Sequence, residues 1–182
     1  GDLVIASTSL LGGSTGGNYK GAVSIASGSS LTNESSATQQ WTGVVTSSGT
    51  FTQNGTGILA LYGSNTFASN VAVNAGTLGA FNNSAFGTVQ VDVTDAGLLL
   101  GPGVTLANNI TLGGASTIQT GRIVEYIIVG GGGGGGAWVG GGGGGGGVLT
   151  GATLADGVNT IVVGSGGAGA TNPGTMNAND LR

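Results

Sequence analysis

Two runs of glycine, at 130–136 and 140–147, constrain this chain more than any other feature. Fifteen glycines, interrupted only by Ala137-Trp138-Val139, exclude a helix there, because each costs about 1 kcal/mol relative to alanine. They have no side chains and do no chemistry of their own. Glycine loses the most conformational freedom on folding, so such runs order only if their backbone N–H and C=O groups find partners. Without Cβ atoms, however, chains can approach one another very closely. In an extended threefold conformation rising about 3.1 Å per residue, the runs reach roughly 22–25 Å. Their matched lengths, seven against eight, suit the two legs of a folded pair. Strand-like sequence flanks them, with "IVEYIIV" before and "GVLTGATL" and "NTIVVG" after. Asp156-Gly157 reads as a tight hairpin turn between the last two.

Charge narrows the class further. Only 5% of residues are charged, with three cations, seven acids and no histidine among 182 residues. Disordered chains are depleted in Val, Ile, Leu and Thr, whereas this one is rich in them. An uncharged surface of Ser, Thr, Asn and Gly repels its neighbours weakly, which suits a secreted fibre or adhesin. The net charge of −4 and the lack of a basic cluster argue against nucleic acid as a partner. With no cysteine, neither disulfides nor thiolate metal sites form. Residues 126–155 carry no charge and are numerous enough to span a bilayer. An isolated non-helical segment does not cross lipid, so the chain is not expected to span a membrane. It opens at Gly1 without a methionine or a signal peptide, as a processed product would.

The rest of the chain repeats short β-branched segments: "LVIAS", "AVSIAS", "GVVTSSGTFTQNG", "GILALYG", "NVAVNAGTL", "TVQVDV", "GLLLGPGVTL", "NNITLGG" and "STIQTG". Many alternate apolar and polar residues at period 2, the mark of half-buried strands. Glycine and asparagine punctuate them in units of about 20 residues, which suits one coil of a β-solenoid. Corners of a coil need positive φ or a side-chain-to-backbone bond, and Gly and Asn supply both. Apolar residues are then expected to stack inside, with Thr, Ser and Gln facing out.

The stretch "NGTGILALYGSNTFASNVAVNAGTL" (54–78) resembles the autotransporter-associated β-strand repeat. Gly55, Gly57, Leu59, Leu61, Gly63, Asn65, Thr66, Phe67, Val71, Val73, Gly76 and Leu78 match its pattern, while Ala68-Ser69-Asn70 stands where the family has Thr-Gly-Gly. The resemblance covers about residues 50–120 and implies a right-handed parallel β-helix exported to the cell surface. Residues 124–170 are similar to the glycine-rich domain of phage tail and surface adhesin proteins. In that family glycine runs form polyglycine II strands whose loops touch a receptor. The long variable loops that recognise the receptor there are missing from this chain.

Asp92 and Asp95 in "VDVTDAG" are three apart, as a carboxylate pair or calcium site requires, but residues i and i+3 of a strand face opposite ways. A solvated strand end and turn accounts for them. Glu125 has Arg122 or another copy's Lys20 as candidate partners, and an outward-facing strand position is the simpler account. Trp41 and Tyr62 read as stacking side chains within coils. The Thr-rich strands lack the sustained ladder of an ice-binding face. With no histidine, cysteine or serine–lysine motif, no catalytic set exists. No Gly-Lys-Ser/Thr follows the glycine runs, so they are not a phosphate loop. Trp138 sits at the tip between the runs, either as an exposed anchor for a ligand or as a plug in a packed layer, and the packing role is favoured.

The sequence therefore predicts an all-β protein: a short right-handed parallel β-helix over 1–120, and a glycine-rich β domain with polyglycine strands over 121–182. Residues 1–7, "GDLVIAS", form either a coil strand or a strand donated to a neighbour. Uncapped solenoid ends template stacking, and no polar helical cap is visible at either terminus. The expected role is an extracellular, non-enzymatic structural subunit that polymerises with itself and needs no cofactor. Its assembly or receptor contacts are placed at Gly130, Gly133, Gly136, Trp138, Gly140, Gly143 and Gly147. The alternative is a surface or tail-fibre adhesin that binds a glycan or protein receptor.

Overall fold

A computed structural model of the chain describes residues 1–11, 17–136, 141–155 and 162–170. Contacts divide the chain into two compact units, Gly1–Glu125 with Gly151–Val158, and Tyr126–Thr150 with Asn159–Arg182. All regular elements among the described residues are strands. No helix of the described residues is long and apolar enough to cross a membrane.

The first unit winds into a β-solenoid whose two longer sheets each stack six strands. Its first coil contains β1 (Asp2–Ile5), β2 (Asn18–Tyr19) and β3 (Val23–Ile25). The second contains β4 (Ser30–Asn33), β5 (Gln39–Trp41) and β6 (Val45–Ser47), and the third β7 (Thr50–Gln53), β8 (Ile58–Leu61) and β9 (Thr66–Phe67). Two-strand coils follow: β10 (Val71–Val73) with β11 (Thr77–Ala80), β12 (Val91–Thr94) with β13 (Gly97–Leu100), and β14 (Ile110–Gly113) with β15 (Thr117–Thr120). Strands stack into three sheets, in the orders β1-β4-β7-β10-β12-β14, β15-β13-β11-β8-β5-β2 and β3-β6-β9. Every pairing within these sheets that has a defined register is parallel.

The register is what a 20-residue unit requires. Ser30 pairs with Thr50 and Phe51 with Val71, in steps of 20, so identical positions of successive coils lie over one another. One inward row of the first sheet runs Leu3, Leu31, Phe51, Val71, Val91, Ile110. The second sheet contributes Leu59, Leu78 and Leu98 and, two residues on, Trp41, Leu61 and Ala80, all buried. Tyr19, Trp41, Phe51 and Phe67 form a chain of edge-on and tilted rings through the first three coils, at centroid spacings of 6.4, 6.2 and 5.5 Å. Trp41 is thus a stacking side chain. β1 lies in the sheet beside β4, so "GDLVIAS" supplies a coil strand.

Two features depart from the sequence pattern. Within "GLLLGPGVTL", Val104–Leu106 form no strand. Pro102-Gly103 turns the chain there, with Gly103 at φ 75°, and the Val104 N–H closes back on the Gly101 carbonyl at 3.1 Å. The second concerns polarity. Gln39 and Gln53, expected outside, are fully buried, as is Asn33. Alternation places Gln53 on the same face as Phe51, and neighbouring amides satisfy it there.

Beyond the solenoid, β16 (Arg122–Val129) pairs with β17 (Val148–Ala155) in a two-stranded sheet. No strand is assigned to the described part of "NTIVVG", Val162 to Gly164. The hairpin expected at Asp156-Gly157 lies outside the described residues.

Candidate functional site

The glycine runs pair through their backbones within the chain. Gly130, Gly133 and Gly136 donate their N–H groups to the carbonyls of Gly147, Gly144 and Gly141 at 2.8, 2.8 and 3.0 Å. Each donor advances by three residues while its acceptor retreats by three, so the runs are antiparallel. A three-residue step is that of a helix with three residues per turn, which offers each neighbour every third group. A third segment joins on another side. Gly167 and Ala170 donate to the carbonyls of Gly132 and Gly135 at 2.9 and 3.0 Å, in the parallel sense. The run at 130–136 therefore has partners on two sides.

Absent side chains permit this approach. A Cβ on Gly143 would overlap the Gly133 carbonyl, and one on Gly146 the Gly130 carbonyl. Cβ atoms on Gly131 and Gly134 would collide with the backbone at Gly166 and Ala168. At Gly141, Gly142, Gly144, Gly145 and Gly147 a Cβ would meet nothing within 4 Å. Of the expected contact residues, Gly130, Gly133, Gly136, Gly143 and Gly147 are thus engaged inside the chain. Trp138 and Gly140 lie outside the described residues.

Inside the solenoid, a cluster of amides replaces the aliphatic row in the second and third coils. Asn33 Nδ2 donates to Gln53 Oε1 at 2.7 Å, and Gln53 Nε2 donates to the Gly55 carbonyl at 2.8 Å. Gln39 Nε2 donates to Asn33 Oδ1 at 3.2 Å, and the Leu11 N–H donates to Gln39 Oε1 at 3.1 Å. Ser35, buried at the next corner, donates its N–H to Asn33 Oδ1 and accepts the Ala37 N–H on Oγ. Every amide named here has a partner, so its burial carries no desolvation penalty left uncompensated. The arrangement is a structural bracket between coils.

Asn65 performs a related task at another corner. Its Oδ1 accepts the Val45 N–H at 2.7 Å from the preceding coil, and its Nδ2 donates to the Ala85 carbonyl at 2.8 Å in the following one. One buried side chain thus ties three coils, which gives a physical reason for asparagine in the "GSNTF" segment.

The acidic candidates are each held separately. Asp92 accepts hydrogen bonds from Asn70 and Gln90, whereas Asp95 accepts the Ala115 N–H at 2.8 Å. Asp95 has φ 51°, the left-handed conformation that Gly114 takes in the next coil. The two carboxylates therefore serve as a strand contact and a corner cap and share no ligand site. No group of three or more metal-ligating side chains occurs among the described residues.

Glu125 has a partner that sequence spacing does not suggest. Its Oε1 accepts from Gln40 Nε2 at 2.9 Å, across 85 residues, and Gln40 Oε1 accepts the Tyr62 hydroxyl at 3.0 Å. The Tyr62 ring stacks on Phe81 at 4.6 Å. Burial, and secondarily the Glu125 carboxylate, raise the Tyr62 hydroxyl above its ordinary pKa of 10.0. Gln40 belongs to the outward row of the second sheet, with Ala60, Gly79 and Leu99. Ala60 and Leu99 in that row are fully buried, so this outer face is covered.

No family model matches the chain. Neither a curated protein nor a solved structure matches it.

Proposed function

We propose that the chain is an extracellular structural subunit that associates with copies of itself in a filament, sheath or surface matrix. One observation carries this reading: the buried amides and the two aspartates of "VDVTDAG" are bonded within the solenoid. Asn33, Gln39, Gln53 and Asn65 bracket coils from within, and Asp92 and Asp95 serve the strands and corners. Three further features support it. The low charge lets chains pack closely. Among the described residues, the solenoid sheets end in strands paired on one side only, the feature that natural sheets otherwise blunt. The glycine segments, read as polyglycine strands of a glycine-rich β domain, fit a backbone-built, tightly packed material. On this reading the protein acts by its shape and needs no cofactor. The likeness of residues 50–120 to autotransporter passenger repeats and of 124–170 to adhesin glycine domains agrees with a surface location.

Sedimentation velocity over a wide concentration range tests the proposal. Species that grow with concentration, without a fixed upper size, are expected. A single small species at every concentration would overturn it.

A further inference from the structure

Resting on the self-association reading, we infer that the partner at the solenoid end is a second copy, stacked head to tail so that β1 of one chain pairs in parallel with β14 of the next. The two ends are complementary. At one end β1, β2 and β3 are the terminal strands of their sheets, and at the other β14 and β15 are. Because each sheet is parallel throughout, the free edge of β14 presents the same strand direction and row pattern that every β-strand within the sheet presents to its neighbour. A second copy extends the rows without a change of register. Ile110 falls on Leu3 of the next chain, and Leu112 falls on Ile5.

Side chains at the ends fit that junction. Leu112 and Ile118 occupy inward rows yet are 49% and 46% exposed, because among the described residues no further coil follows theirs. At the opposite end Leu3 is 49% exposed and borders a hollow of about 320 Å³ that Val23, Ile25 and Leu31 also line. The end with projecting aliphatic side chains thus meets a recess lined by aliphatic side chains together with Ser24, Ser29 and Ser30. Such a heterologous contact does not close on itself and generates an open polymer.

Val4 and Thr111 lie on one outward row, which runs through Thr32, Thr52, Ala72 and Asp92. Across the junction their Cα atoms would be about 4.8 Å apart, within disulfide range. The chain has no cysteine, so the full-length double variant Val4→Cys, Thr111→Cys is a clean probe. Under mild oxidation it is expected to give a ladder of covalent oligomers on a non-reducing gel, while each single variant stays uncrosslinked. Leu112→Lys with Ile118→Lys should abolish polymer while leaving the circular dichroism of the monomer unchanged. A covalent dimer from Val4→Cys alone would mean that like ends meet, and would overturn the inference. Polymers from the unmodified chain with no ladder from the double variant would overturn this junction but leave self-association standing. An unmodified chain that stays monomeric would overturn both.

Discussion

Asn65 Oδ1 accepts the backbone N–H of Val45 at 2.7 Å across the boundary between two coils. The same amide holds the Ala85 carbonyl on its other side. Both backbone groups belong to fully buried residues. Leaving a buried group unsatisfied costs about 1–3 kcal/mol. Asn65→Ala is therefore expected to lower unfolding free energy by about 2–5 kcal/mol, since it strands two such groups. Urea denaturation checks this, and a loss below about 1 kcal/mol would mean that the bracket contributes little.

The internal amides respond differently to single and paired replacement. Gln53→Val leaves Asn33 Nδ2 and the Gly55 carbonyl without their partner. A loss of about 2–4 kcal/mol is expected. Asn33→Val made together with Gln53→Val extends the aliphatic row already occupied by Val73 and Val93. Asn33→Val also strands Gln39 Nε2 and the Ser35 N–H, so the pair should lose more than Gln53→Val alone but less than the sum of the single losses, because both break the same Asn33–Gln53 bond. Additive losses would show that the two amides do not act as a unit.

Two groups give the stability a defined pH dependence. Hydrogen bonds from the Ser30 hydroxyl and N–H lower the Asp2 carboxyl below its ordinary 3.8. Its contribution is present above that value and fades as the pH falls through the lower folded one. Tyr62 behaves oppositely. Its raised pKa means that its contribution is full below pH 10.0 and is lost as the pH rises through the folded value. Tyrosinate absorbance should show Tyr62 titrating above 10.0. Tyr62→Phe should remove that component, and Glu125→Gln should move it only part of the way back, because burial is the larger cause. A Tyr62 that titrates at 10.0 would contradict its burial beside Glu125.

Glycine positions should separate into two classes. Gly143→Ala and Gly146→Ala put a methyl group into the backbone of the facing run and should abolish hydrogen-exchange protection at Gly130 and Gly133. Gly142→Ala and Gly145→Ala meet open space and should leave that protection intact. Equal effects at all four positions would contradict the three-residue pairing.

Much of the solenoid was legible because its signals are local and periodic. Gly and Asn at corners, with alternation between them, set the 20-residue coil that the register repeats. Polar interior positions were not legible, since the partners that make Gln53 and Gln39 tolerable come from another coil. The third sheet stops after β9 because "FNNSAFG" turns instead of extending, with the Ala85 N–H bonded back to Asn82 and the Gly87 N–H to Ser84. Gln40 and Glu125 meet across 85 residues, a distance no local pattern bridges. The antiparallel pairing of the glycine runs followed from their matched lengths. The third segment at Gly167 and Ala170 had only its small residues to mark it.

The central claim is a polymer built by continuing the coils from chain to chain. Electron micrographs of the purified chain at high concentration, with diffraction from an oriented sample, test it most directly. The account predicts unbranched filaments with a repeat of about 4.8 Å along their axis, the spacing of paired strands. Discrete monomers or trimers, with no such axial repeat, would contradict it.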